Sequence, residues 1–179
     1  MPQTQTNTPT ALEAALDYAR CGISIFPCNP IDKKPLTPSG FKDATRDETQ
    51  ILGWWQQYPN AMIGAPMGPV SGLWAIDLDP TRKIDGKATL DQLVAQRGPL
   101  PPTWATITPR GGRHLIFAWD PNVEIRNSAS KIGPGIDVRG NGGYICLPPS
   151  RNATGGTYQW EPGGPQNARP GTTLAGHAC

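Results

Sequence analysis

Two aspartates, Asp77 and Asp79, stand in the segment Leu73-Trp74-Ala75-Ile76-Asp77-Leu78-Asp79. Side chains alternate between the two faces of a strand. Trp74, Ile76 and Leu78 then share one face, which should be the core, and Asp77 and Asp79 share the other. Their Cα atoms would lie about 7 Å apart, close enough for the carboxylates to repel. A divalent cation between them would remove that repulsion. Hard cations such as Mg2+ take one or two carboxylates together with phosphate oxygens. The plainer alternative is that acids at a strand end before Pro80 solvate a turn.

Gly135-Ile136-Asp137-Val138-Arg139-Gly140 repeats the pattern. Ile136 and Val138 face inward, so Asp137 and Arg139 share the opposite face. A third carboxylate would complete a metal-binding triad. Two metal ions held by such a triad can activate a 3′-hydroxyl and stabilise a leaving pyrophosphate. Arg139 could hold a triphosphate oxygen, or simply pair with its neighbour on the surface. Between the two acidic segments, Arg110-Gly111-Gly112-Arg113-His114 leads into the apolar run Leu115-Ile116-Phe117. Gly111 and Gly112 would let backbone amides approach a ligand closely. Arg110 and Arg113 add positive charge, and His114 sits at the strand entrance. The set suits a triphosphate, although a hairpin turn with an incidental histidine would look the same.

These residues need a scaffold. Thr10 can cap a helix over 11–20 with Leu12, Ala15, Leu16 and Ala19 on one stripe. Strands are predicted over 23–26, 61–66 and 73–78, and helices over 47–58 and 87–97. Trp54 and Trp55 fall at packing positions of the second helix. The rest reads as two hairpins. One pairs 104–108 with 114–119, and the other pairs 135–139 with 143–147 around Gly140-Asn141-Gly142. Helices on a mainly antiparallel sheet make an α+β fold. The expected organisation is a disordered segment over 1–9, a catalytic domain over 10–150 and a Gly/Pro-rich tail or linker over 151–179.

The net charge is +2, so the chain is not a basic arm that coats nucleic acid. Contacts to nucleic acid would come from local clusters, with Lys33, Lys34 and Lys42 as loop candidates for template phosphates. Cys21, Cys28, Cys146 and Cys179 show no zinc spacing and read as free thiols. No apolar run approaches the roughly 20 residues of a membrane span. The N-terminal MPQTQTNTPT lacks the regions of a secretory signal, so a cytoplasmic location is expected.

In order along the chain, Ala75-Ile76-Asp77-Leu78-Asp79, then Gly111-Gly112-Arg113-His114, then Gly135-Ile136-Asp137-Val138-Arg139 resemble the three motifs of the bifunctional primase-polymerase domain of the archaeo-eukaryotic primase superfamily. Gly143-Tyr144-Ile145-Cys146-Leu147-Pro148-Pro149-Ser150 resembles the family's closing strand and turn, and Lys33-Lys34-Pro35 a further family feature. The resemblance covers about Leu12 to Ser150. Many relatives in the wider superfamily carry a serine two residues before the motif histidine, where this chain has Gly112. They often have a small residue where Arg110 stands.

The resemblance implies a primase-type core, an RRM-like half against a second α/β half with the active site in the cleft between them. It implies that Asp77, Asp79 and Asp137 bind two Mg2+ or Mn2+ ions and that His114 contacts the phosphates of an incoming nucleotide. Arg113 and Arg139 are supporting candidates from their placement. The implied reaction is nucleotidyl transfer from dNTPs or NTPs on a single-stranded DNA template, in replication of a plasmid, phage or other mobile element. A helicase or accessory domain would assist, in the same protein or in trans. Two rival readings share these residues. One is a metal-dependent nuclease or phosphohydrolase. The other is a non-catalytic module for nucleotide or single-stranded DNA.

Overall fold

The computed structural model describes residues 9–80, 85–101 and 103–161. The expected disordered segment falls outside these residues except for Pro9, as does the tail from 162 onward. Helix α1 (Ala11–Arg20) starts at Thr10 with a reciprocal cap. The Thr10 hydroxyl accepts the Glu13 N–H, and the Glu13 carboxylate accepts the Thr10 N–H. Helix α2 (Glu48–Gln57) is capped by Asp47 and buries Ile51, Trp54 and Trp55. Helix α3 (Gly86–Arg97) is capped by Asp85.

The strands form two antiparallel sheets. The smaller has the order β1-β2-β8, with β1 (Phe26–Cys28), β2 (Met62–Pro66) and β8 (Tyr144–Leu147). The larger has the order β6-β7-β3-β5-β4-β9. Its strands are β3 (Leu73–Leu78), β4 (Trp104–Ile107), β5 (Arg113–Ala118), β6 (Ser128–Gly133), β7 (Ile136–Arg139) and β9 (Gln159–Trp160). β3 and β4 are joined through α3 and both run antiparallel to β5, which lies between them. This is a split β-α-β unit. With β7 added beside β3, the order β7-β3-β5-β4 is that of an RRM-like sheet. The α+β class and the primase-type architecture are therefore as expected.

The large sheet is covered on both faces. Ile76, Leu78, Leu115, Phe117 and Ile136 pack with Leu90, Leu93 and Val94 of α3. Leu73, Ala75, Ile116 and Trp104 face the other way. They join the main core, which takes in α1, α2 and the small sheet. The second face thus carries the contact between the two halves.

Four expectations need correction. The segments 135–139 and 143–147 do not form a hairpin. β7 pairs with β3 and β8 pairs with β2, so Gly140-Asn141-Gly142 carries the chain from one sheet to the other. Residues 151–161 are not a tail. They form β9 at the edge of the large sheet and bury Tyr158 at 1% exposure. The first strand lies at Phe26–Cys28 rather than 23–26, and runs through Pro27 because β1 is an edge strand, where proline is tolerated. Cys28 and Cys146 are free thiols as expected, whereas Cys21 is not free.

Candidate active site

Register brings the motif residues together. Asp77 on β3 lies directly opposite Asp137 on β7 and directly opposite His114 on β5. His114 is in turn opposite Thr106 on β4. Residues directly opposite one another in an antiparallel sheet point to the same face. Asp137, Asp77, His114 and Thr106 therefore form one row across four strands, on the face that meets the main core. The alternation that buries Trp74, Ile76 and Leu78 against α3 is what turns Asp77 to this side.

The two carboxylates do not face each other unpaired. Arg139 Nη2 donates to Asp77 Oδ2 at 3.0 Å and to Asp137 Oδ2 at 3.1 Å, and Arg139 Nε donates to Asp77 Oδ2 at 3.3 Å. The guanidinium neutralises the repulsion expected of clustered acids. The second oxygen of Asp137 accepts the N–H of Ser130 at 3.0 Å. Ser130 belongs to β6, an exposed edge strand whose register with β7 shifts between Ser128 and Gly133. Asp137 is thereby held in orientation from two sides.

His114 is buried, and its Nε2 lies 3.6 Å from Asp77 Oδ1. Burial pushes its pKa down to about 4, against the pull of Asp77, with Lys33 and Arg139 adding to the lowering. The imidazole is therefore neutral at pH 7. Its Nδ1 has no hydrogen-bond partner, nor has the buried Oγ1 of the adjacent Thr106. Buried polar atoms left without a partner have donor or acceptor capacity to spare for a ligand or a water. The ring packs against Tyr158, with centroids 5.8 Å apart and planes tilted by 32°.

These values give a testable pH dependence. A histidine whose folded pKa is depressed favours folding when neutral. The unfolded chain binds the extra proton between about pH 6.5 and pH 4, so stability falls as pH drops through that window. From the size of the shift, the loss between pH 7 and pH 5 should be about 2 kcal/mol. Urea unfolding of the wild type and of His114→Phe at both pH values checks it. Equal pH slopes in the two proteins would refute the assignment.

The remaining sequence candidates fall elsewhere. Asp79 lies just beyond β3, exposed, with Oδ2 3.6 Å from Arg110 Nη2. Arg113 alternates with His114 and projects from the α3-side face, where its Nη2 donates to Glu161 Oε2 at 2.7 Å. The structure brings Arg139 into the row, but not Arg113. Gly111 has φ 79° and open space around it. Gly112 is different, because a Cβ there would come within 2.5 Å of the Leu78 carbonyl oxygen. Glycine at 112 lets the turn press against the end of β3 beside Asp79. Gly112→Ala should destabilise the domain by about 1–3 kcal/mol, while Gly111→Asn should be close to neutral, since asparagine tolerates this conformation. Thermal melts of the two variants distinguish this packing role from a general demand for glycine. Lys42 is exposed on a 3₁₀ turn (Gly40–Asp43), and Lys34 is exposed and paired with Asp32 at 3.0 Å.

Sequence reasoning missed Tyr158 and Glu161, which hold His114 and Arg113. The alternating aromatics of Tyr158-Gln159-Trp160 were the available signal. The sequence model of the family described as bifunctional DNA primase/polymerase, N-terminal, matches residues 15–173. The chain belongs to that family. Its function is of the DNA primase/polymerase type, with DNA and nucleotides as substrates. A comparison with curated proteins finds no match. The family match extends beyond Ser150, in keeping with the packed β9 segment of this Prim-Pol domain. Among the described residues no helix is long and apolar enough to cross a membrane.

Proposed function

We propose that this Prim-Pol domain performs template-directed nucleotidyl transfer, joining dNTPs or NTPs on single-stranded DNA. The observation that carries the reading is the register that sets Asp137, Asp77 and His114 side by side on three neighbouring strands. Among the described residues no group of three or more His, Cys, Asp or Glu side chains could hold a metal by itself. Two adjacent carboxylates fit a Mg2+ or Mn2+ ion that arrives with phosphate oxygens, which is the usual way Mg2+ is held at such sites. Asp77 and Asp137 would hold it, with Asp79, exposed just beyond the end of β3, as a further carboxylate. When bound, such ions neutralise charge on the transferring phosphoryl group and favour ionisation of the attacking hydroxyl.

The protein's own residues supply the rest. Arg139 exchanges a carboxylate partner for a phosphate oxygen as the polyanion enters. Neutral His114 offers a hydrogen bond to a phosphate without adding charge to a crowded site. Fixed strands, rather than loops, hold these groups in place. The setting we propose is replication of a plasmid, phage or other mobile element, with a helicase or accessory domain in the same protein or in trans. The test is nucleotide incorporation on a single-stranded template, with and without a primer, in Mg2+ and in Mn2+. Extension of a primer supports the reading. Shortening of the DNA without extension would instead indicate a nuclease, and metal-independent nucleotide binding without turnover a non-catalytic module.

A further inference from the structure

The loop that follows β1 holds a lysine in a conformation lysine rarely adopts. Lys33 has φ 64°, in the left-handed region. Strain of this kind persists where the surroundings over-determine it, and it clusters at ligand sites. Here the surroundings are specific. The Lys33 N–H donates to the Asn29 carbonyl at 2.9 Å, and the Asn29 N–H donates to the Lys34 carbonyl at 2.8 Å. The Tyr144 hydroxyl donates to the Lys33 carbonyl at 3.1 Å.

This backbone sends two neighbouring lysines in different directions. Lys34 turns outward, with its side chain 78% exposed and paired to Asp32. Lys33 turns inward and is half-buried, with Nζ 5.7 Å from the centre of the Tyr158 ring. Tyr158 lies against His114. Among the described residues Lys33 has no carboxylate within ion-pair distance. An ammonium from the small-sheet half thus stands one aromatic ring away from the imidazole of the large-sheet row. A solvated template lysine would be exposed, like Lys34. A half-buried ammonium without an acidic partner, one ring away from the row of Asp137, Asp77 and His114, is placed for an anionic ligand of that row.

We propose that Lys33 binds the phosphate chain of the incoming nucleotide rather than the template strand. The proposal rests on the nucleotidyl-transfer reading. It assigns the cationic support for the triphosphate to Lys33 and Arg139, in place of Arg113. Lys33→Met keeps the aliphatic stem over Tyr158 and removes the charge. Lys33→Arg restores the charge, and Lys34→Ala is the control. Each variant is assayed for dNTP KM and kcat on a primed template, for Kd of a single-stranded oligonucleotide, and for Tm.

Lys33→Met should raise the dNTP KM about 10-fold or more, the usual worth of a charge-assisted contact. It should change the oligonucleotide Kd by less than about 2-fold, a difference too small to represent a lost contact. Lys33→Arg should recover most of the KM, and Lys34→Ala, at the outward-facing neighbour, should leave the dNTP KM within about 2-fold. Weaker oligonucleotide binding with an unchanged dNTP KM would overturn the proposal in favour of a template contact. An unchanged KM and Kd with a lowered Tm would overturn it in favour of a structural role. A wild-type domain that binds no dNTP and incorporates none would overturn the nucleotidyl-transfer reading, and this proposal with it.

Discussion

Asp77→Asn should abolish nucleotide incorporation, by about 10³-fold or more, while the domain remains folded. Asp77 is the centre of the row, with Asp137 on one side and His114 on the other. The amide has nearly the same shape, so packing is kept. It carries no charge, however, and is a poor ligand for a hard cation. Loss of several kcal/mol of phosphoryl-charge stabilisation corresponds to about 10³-fold or more in rate. Removing one of two repelling acids would leave stability unharmed, but here Asp77 accepts two hydrogen bonds from Arg139. The variant should therefore lose about 1–3 kcal/mol of stability, with Arg139 keeping its bond to Asp137. Incorporation assays on protein whose melting curve remains cooperative separate the two effects. Activity within 10-fold of wild type would remove Asp77 from the chemistry.

Ending the chain at Ser150 should leave a protein that does not fold stably. Such a truncation removes β9 from the sheet edge, Glu161 from Arg113 and Tyr158 from the core. Deleting a large buried aromatic alone costs about 3–5 kcal/mol, and a domain of this size has only about 5–15 kcal/mol in total. Tyr158→Ala should show most of the loss. It should also free the His114 ring, so its dNTP KM should rise even at temperatures where it is folded. Tyr158→Phe, which keeps the ring, should retain that KM within a few-fold. Circular dichroism melts of the truncated and full chains decide the first point. A cooperative melt within a few degrees of the full chain would contradict it.

What could be read from residues alone was local. The face of each motif strand was legible because alternation needs no knowledge of neighbours. Asp77 opposite Trp74, Ile76 and Leu78, and Asp137 opposite Ile136, both follow from it. The convergence of Asp77, Asp137 and His114 was not legible that way, because it depends on which strands pair. A metal triad joining Asp137 to the Asp77 strand was an expectation from residue type alone, and His114 beside it followed from the resemblance. Gly140-Asn141-Gly142 shows the same limit in reverse. A glycine-rich turn between two apolar runs signals a reversal, but says nothing about which sheet receives the second run. β6 gave no signal because Ser-Ala-Ser-Lys-Ile-Gly has neither alternation nor an apolar face. The pairing of Arg139 with its neighbour Asp137 was one of the readings, but its bond to Asp77 on the adjacent strand was hidden, since spacing gives a shared face but not a contact across strands.

The placement of Asp77 on a strand that packs on both sides has a further consequence for how the protein matures. Sliding β3 by a single residue against its neighbours would push a carboxylate into the leucines of α3 and drive Trp74, Ile76 and Leu78 into the main core in place of the smaller Leu73 and Ala75. Such a misthreaded chain would be too unstable to accumulate. Assembly of the interior thus proofreads the alignment of the acids, and any molecule that reaches the compact state carries them correctly set.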